Sequence, residues 1–146
     1  MALTDRYAAQ DLHVGDVVYI EQGRVYSSYT PKPSAAVVTR RTKTLVEVIV
    51  SSGSEYKFRW NATRDRWLAA DSVADIYERN VLITAETGRD STARIERSDK
   101  IDTLRAQARG EARKLTESRY PSVTTIDEVI DALQVIRAAL AETEAL

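Results

Sequence analysis

The stretch TLVEVIVSSGSEYKFRW, residues 44–60, decides the fold of the first half of the chain. Its first part is a run of β-branched and other apolar residues, and the link SSGS follows it. Its second part alternates, with Tyr56, Phe58 and Trp60 on one side and Glu55, Lys57 and Arg59 on the other. A period of two is typical of a half-buried strand, and a short link of small residues is typical of a hairpin turn. The stretch therefore predicts a β-hairpin that turns at Gly53.

Shorter apolar runs on both sides of this hairpin predict further strands. Residues 12–20 and 35–42 precede it, and Trp67-Leu68 follows it as a short last strand. Together they predict a small antiparallel β-barrel over residues 12–70, whose core takes the aromatic side of the hairpin. Residues 21–34 contain Gly, Pro and Tyr and predict a long loop, which in a compact domain is typical of a functional segment. The alternative is an insertion without a role.

Two short segments outside the predicted barrel have weaker patterns. Residues 4–11 predict a short helix, and residues 71–82 predict another because their apolar residues lie near helical spacing. Residues 84–91 predict a linker, with Gly88 as a helix breaker.

The last third of the chain predicts two helices. Apolar residues recur three or four apart over residues 92–119, and Tyr120-Pro121 ends that helix because the residue before proline is pushed out of the helical region. A second helix is predicted from Thr125, where Glu128 completes a capping box. The connection is short, so the two helices are expected to form an antiparallel hairpin.

The predicted fold class is α+β. The expected organisation is a small β-barrel domain at residues 1–70, a short helix and linker at residues 71–93, and a helical hairpin at residues 94–146. The second helix has a wider apolar face than its partner can cover, so this face is expected to pack also on the barrel, on the 71–82 helix or on a second subunit. The candidate protein-interaction residues are Ile126, Val129, Leu133, Val135, Ile136 and Leu140.

Residue types that support catalysis are scarce. The chain has no cysteine and one histidine, His13, so neither a thiolate site nor a two-histidine metal site is expected. No phosphate-binding glycine loop and no nucleophile motif occurs. Most clustered carboxylates have the spacing of helix starts, where acids favour the positive end of the dipole. The sequence therefore predicts a protein that is not an enzyme and that has no cofactor or metal.

Charge is distributed unevenly along the chain. The net charge is −1 overall, but residues 12–70 carry +4, residues 94–119 carry +3 and residues 120–146 carry −4. Such asymmetry is typical either of a nucleic-acid face or of segments that neutralise each other in the fold. The sequence has neither a long apolar run nor a basic start followed by an apolar core. We therefore expect no membrane association and a location in the cytoplasm or in a virus particle.

Basic and aromatic residues alternate around the predicted sheet and loop. Bases stack on aromatic rings and phosphates pair with arginine, so this pattern favours binding of single-stranded nucleic acid. The competing interpretation is that the rings of the hairpin form the barrel core and the charges only solvate the surface. The candidate contact residues are Arg24, Tyr26, Tyr29, Lys32, Arg40, Arg41, Lys57 and Arg59.

Residues 12–68 resemble the small five-stranded barrels of the Tudor and KOW kind. The resemblance is carried by VGDVVYI with its Gly15-Asp16 opening, by AAVVTRR, by the Gly53 hairpin and by a closing RWL. It implies binding of a nucleic acid, a ribosome, a polymerase or a protein tail. Sixteen of the 21 basic residues are arginine and alanine is abundant, so the whole chain also resembles small accessory proteins of bacteriophages of actinobacteria.

Three hypotheses of function follow. In the first, the barrel and its long loop contact nucleic acid or a complex associated with it. In the second, the helical hairpin acts as an inhibitor or adaptor that binds a host protein or another copy of the chain, so that a homo-oligomer is expected. In the third, the protein is a structural part of a virion. The sequence alone does not choose among them.

Overall fold

A computed structural model describes residues 6–23, 31–70 and 80–146. Two compact units divide the chain, Met1–Ala93 and Arg94–Leu146. Within the described ranges, no helix has the length and the apolar character needed to cross a membrane. The elements are, in order, β1 (Val17–Glu21), β2 (Ser34–Arg41), β3 (Leu45–Val50), β4 (Glu55–Asn61), β5 (Arg66–Ala69), β6 (Val81–Thr84), α1 (Ala85–Glu117) and α2 (Val123–Glu144).

The described strands form a closed antiparallel barrel in which each of the six pairs with the next and β6 returns to β1. The predicted hairpin is confirmed as β3 and β4, and Gly53 takes a positive φ of 87° in the turn between them. Glycine adopts this conformation without the steric penalty that a side chain brings. The α+β class is confirmed, but the barrel has one strand more than the five-stranded kind it resembles.

The barrel interior is filled by the side chains that alternation points inward. Phe58 and Trp67 are fully buried in it, so the prediction that the hairpin's aromatic side supplies core residues is confirmed for Phe58. Trp60 is partly buried and packs against this core, whereas Tyr56 is 43% exposed. The buried residues of this core are Ala8, Val18, Ile20, Ala36, Val38, Val46, Val48, Phe58, Trp67 and Leu82.

The sixth strand corrects the predicted helix over residues 71–82. Val81 and Leu82 belong to β6, and residues 71–79 lie outside the described residues. The run Val81-Leu82-Ile83 is buried on both of its faces, since Leu82 enters the barrel core while Val81 and Ile83 join a second cluster outside it. A short, continuous apolar run has no period of its own, so sequence periodicity cannot distinguish such a strand from a helix.

The start of the described chain extends the barrel wall. It corrects the predicted helix over residues 4–11 for residues 6–11, and residues 4 and 5 lie outside the described residues. Tyr7 forms an antiparallel bridge with Ile83, Ala8 N–H donates to the Leu82 carbonyl at 3.1 Å, and Thr84 N–H donates to the Arg6 carbonyl at 3.0 Å. Strand β5 is paired with β6 only at Val81. The N-terminal segment therefore forms hydrogen bonds with backbone groups of β6 that β5 does not reach.

The first turns of α1 belong to the same unit as the barrel, and they replace the predicted linker over residues 84–91. Thr84 caps the helix, because its Oγ1 accepts a hydrogen bond from Thr87 N–H at 3.2 Å. Tyr19 packs at the outer cluster, and an added Cβ on Gly88 would lie only 2.1 Å from Tyr19 Cγ. Gly88 is therefore not a helix breaker here, because its missing side chain leaves room for the tyrosine.

The second unit contains the rest of α1 and all of α2. Ser122 caps α2 by accepting a hydrogen bond from Thr125 N–H, so the predicted cap at Thr125 is three residues late. Arg105 pairs with Glu144 at 3.6 Å. Glu111, through a hydrogen bond, raises the pKa of Lys114, and Glu128 adds to this effect. Because Arg105 pairs with the last residue of α2 and only residues 118–122 connect the two helices, the helices run antiparallel.

Exchange of Gly88 for alanine is expected to lower the free energy of unfolding by about 3 kcal/mol, because the new methyl group meets the Cγ and Cβ atoms of Tyr19, which lie close to the backbone and cannot swing away. Chemical denaturation monitored by tryptophan fluorescence measures this loss. Gly110→Ala is the matched control, since nothing lies within 4 Å of the added Cβ. It is expected to stabilise the protein by about 1 kcal/mol. Equal stability of the Gly88→Ala variant and the wild type would contradict the packing described here.

Candidate binding face

Three charged side chains form a row across the outer surface of β2, β3 and β4. Strand register places Arg40 opposite Glu47, and Glu47 opposite Lys57. Glu47 Oε1 lies 3.7 Å from Arg40 Nη1 and 3.8 Å from Lys57 Nζ. The side chains of Arg40 and Lys57 are 68% and 57% exposed, whereas that of Glu47 is 22% exposed. The two cations are thus accessible to a ligand, with one carboxylate held between them.

A third cation continues the row along β4. Arg59 lies two residues beyond Lys57 on the same face of the strand and is exposed. Its neighbours in register are Leu45 on one side and Leu68 on the other. Arg40, Lys57 and Arg59 are called the basic face below.

A β-bulge separates the roles of Arg40 and Arg41. The register shifts between Val38 and Arg40, so one extra residue of β2 lies opposite β3. Val38 points into the core, and strict alternation would turn Arg40 inward and Arg41 outward. The bulge reverses this order, which brings Arg40 to the outer surface and pairs Arg41 with Val46 on the inner side.

The side chain of Arg41 contacts the N-terminal segment and the ring of Trp67. Its Nε donates to the Leu12 carbonyl at 3.0 Å and its Nη2 to the Gln10 carbonyl at 2.7 Å. Its guanidinium lies 5.2 Å from the ring centroid of Trp67. The indole N–H of Trp67 in turn donates to the Ala9 carbonyl at 2.9 Å. Arg41 and Trp67 together hold the N-terminal segment on the barrel.

The aromatic rings of β4 and β5 lie away from the basic face. Phe58 and Trp67 are buried, and Trp60 packs edge-on against Trp67 with 5.3 Å between ring centroids. Tyr56 is partly exposed, but it alternates with Lys57 and so belongs to the opposite side of β4. Among the described residues, the rings of β4 and β5 therefore do not lie on the basic face, which offers charge for ionic contacts.

The remaining candidates are distributed between the loop and the helices. Arg24, Tyr26 and Tyr29 lie outside the described residues, and Lys32 is exposed just before β2. In α2, Val129 is buried, Val135 is exposed, and the other four candidates are half-buried. The six helical candidates thus do not share one accessible surface. The four half-buried ones are Ile126, Leu133, Ile136 and Leu140.

His13 has a local structural role. Its backbone N–H donates to Asp16 Oδ2 at 2.8 Å, its Nδ1 lies 3.8 Å from the same oxygen, and its side chain is largely exposed. This hydrogen bond belongs to the turn that precedes β1. Within the described part of the chain, no group of three or more His, Asp or Glu side chains is placed to hold a metal ion.

No protein-family model, no curated protein and no solved structure matches this chain. The resemblance to Tudor and KOW barrels is therefore supported only at the level of a small closed antiparallel barrel.

Replacing Arg41 with alanine is expected to lower the free energy of unfolding by about 2–3 kcal/mol, because two charged hydrogen bonds to backbone carbonyls and the contact with Trp67 are lost. Arg40→Ala, one residue away, is the control and is expected to change stability by about 0.5 kcal/mol or less, since its side chain is exposed. Parallel urea titrations compare the two variants. Equal losses would mean that the bulge does not divide their roles as described.

Proposed function

We propose that this protein is a non-catalytic binding protein whose basic face contacts the phosphate backbone of a nucleic acid. The observation that carries the proposal is the placement of Arg40, Lys57 and Arg59 on the outer surface that β2, β3 and β4 share. Strands of a closed barrel hold their side chains at fixed spacing, so little order has to be created on binding. The residues of the 21–34 loop, including Arg24, Tyr26, Tyr29 and Lys32, are proposed to border the same ligand.

Phosphate is the ligand group that suits this surface best. Lys57 and Arg59 are two residues apart on β4, so their attachment points are separated by about 7 Å. Arg40 lies two strands away, about 10 Å from Lys57. Three separated cations fit a ligand that repeats its negative charge, because each cation can then pair with a different phosphate.

Glu47 sets the strength and the geometry of this surface. It lies within 4 Å of both Arg40 and Lys57, which orients the two cations and partly offsets their charge. Exposed ion pairs of this kind contribute about 0–1 kcal/mol, so a phosphate can replace the carboxylate at small cost. We therefore expect moderate affinity rather than tight binding.

Binding through this face is expected to depend little on base sequence. Contacts to phosphates position a protein on nucleic acid but do not identify bases. The rings of Phe58 and Trp67 are buried, and Tyr56 lies on the other side of β4. Any preference for single strands or for particular bases would then come from the loop tyrosines.

Reversing two charges of the basic face, Lys57→Glu with Arg59→Glu, is expected to weaken binding to a labelled oligonucleotide at least tenfold. The reason is that two phosphate contacts become repulsive, and a tenfold loss corresponds to about 1.4 kcal/mol. The slope of log K against log salt concentration is expected to fall by about two, at roughly 0.9 per lost contact. Fluorescence anisotropy with single-stranded and double-stranded DNA and RNA, from about 50 mM salt upward, gives both quantities.

The matched control is Arg97→Glu with Lys100→Glu on α1, which makes the same change in net charge in the second unit. Both residues are exposed, so the fold is expected to persist. Equal weakening by the two double variants would show that total charge, not the basic face, governs binding. Absence of binding by the wild type at about 50 mM salt would contradict the proposal, because phosphate contacts are strongest at low salt.

A further inference from the structure

Helix α2 carries two apolar stripes, of which one is used inside its own hairpin. Val129, Ile136 and Thr143 follow each other at intervals of seven residues; Val129 and Thr143 are buried and Ile136 is half-buried. In the second stripe the apolar residues are three or four residues apart. This spacing is typical of a helix that packs against another helix. The second stripe consists of Val123, Ile126, Ile130 and Leu133, and is called the outer stripe below.

The outer stripe remains accessible. Val123 is 74% exposed and Ile130 is 46% exposed, whereas Ile126 and Leu133 are half-buried beside the inner stripe. In residues 94–146, a range described without a gap, Val129 is the one fully buried apolar side chain. A helical unit of this size is rarely stable with so small a core unless a further surface covers it. We therefore expect a partner to cover the exposed apolar surface of the hairpin.

An arginine row of α1 lies on the same side of the hairpin as the outer stripe. Ile130 and Glu144 lie fourteen residues apart on α2, four helical turns, and so fall near one line along the helix. Glu144 pairs with Arg105 of α1 at 3.6 Å, which places Arg105 on that side. Arg109 and Arg113 follow Arg105 at four-residue intervals and are exposed. The face thus combines an apolar stripe with a row of cations.

The charge of the two helices indicates which partner fits. Residues 103–119 of the hairpin contain five basic and two acidic residues, whereas α2 contains five acidic residues and one basic residue. The arginine row requires an acidic helix, and the outer stripe requires apolar side chains at three and four residue intervals. Asp127 and Glu144 lie beside the outer stripe, within about 60° of Ile130 around the helix. Helix α2 of a second copy therefore supplies both the apolar side chains and carboxylates next to them.

We propose that two copies of this chain pair through this face, with α2 of each copy lying against the arginine row of the other to form a four-helix bundle. A two-fold arrangement makes each contact twice, because the same patch serves on both copies. Pairing would bury Val123 and Ile130 and would set Arg109 against acidic residues of the second α2. The proposal does not depend on nucleic-acid binding by the barrel.

The test is sedimentation equilibrium of the full chain at several protein concentrations. The wild type is expected to be a dimer, and its thermal midpoint is expected to rise with protein concentration, as linkage requires. Ile130→Glu and Val123→Glu are each expected to raise the dissociation constant at least tenfold, because a carboxylate would be buried in the pair. Val123 is the more exposed and lies at the first residue of α2, so its variant keeps the test valid if Ile130→Glu fails to fold.

The matched control is Val135→Glu. Val135 is also an exposed β-branched residue of α2, at 71%, but it is five residues from Ile130 and so points about 140° away. This variant is expected to remain a dimer. Arg109→Glu is expected to weaken the pair, since it turns an attraction to the acidic helix into a repulsion.

Four outcomes would overturn the proposal. If the wild type is monomeric at every concentration, a second copy of the chain is not the partner of this face. A dimer that survives both stripe substitutions would place the contact elsewhere, as would a dimer broken by Val135→Glu alone. A dimer insensitive to Arg109→Glu would show that α2 does not lie against the arginine row. Circular dichroism of each variant separates these outcomes from loss of helix.

Discussion

Strand β6 brings together the two sides of the first unit, because its residues are buried in alternating directions. Leu82 completes the barrel core, while Val81 and Ile83 form the outer cluster with Leu68, Tyr7 and Tyr19. The backbone of the same strand pairs with β1 on one edge, and with β5 and the N-terminal segment on the other. Barrel closure, the attachment of the N-terminal segment and the start of α1 therefore all depend on one short strand.

The surface chemistry of the barrel depends in turn on a small irregularity of the backbone. Two adjacent arginines with the same chemistry take opposite roles because the bulge in β2 inserts one residue between Val38 and Arg40. One arginine reaches solvent beside Lys57, and the other holds backbone carbonyls of the N-terminal segment. Bulges are known to redirect side chains in this manner, and here the redirection separates a candidate ligand contact from a structural contact.

Some parts of the fold were predictable from the sequence and others were not. The β3–β4 hairpin was predictable because its alternation continues over many residues and Gly53 marks the turn. The strand at Val81 was not, because three apolar residues in succession have no period and the apolar residues before them lie near helical spacing. The role of Gly88 was not predictable for a physical reason, because it depends on Tyr19, a residue distant in sequence that occupies the space of the missing side chain. The candidate site was only partly predictable, since alternation alone cannot reveal the bulge that divides Arg40 from Arg41.

The bridge between Tyr7 and Ile83 has a consequence for the order in which the chain folds. The β3–β4 hairpin is made of neighbouring residues, and hairpins of this kind form within about 1–10 μs. The barrel wall, in contrast, joins the beginning of the chain to residues near the start of α1, and contacts so far apart in sequence are slow to form. During synthesis the hairpin can therefore form before β6, the pairing partner of the N-terminal segment, has been made. Because β6 is synthesised after the other five strands, closure of the barrel follows formation of the hairpin, and until then the edges of β1 and β5 are open to pairing with other chains.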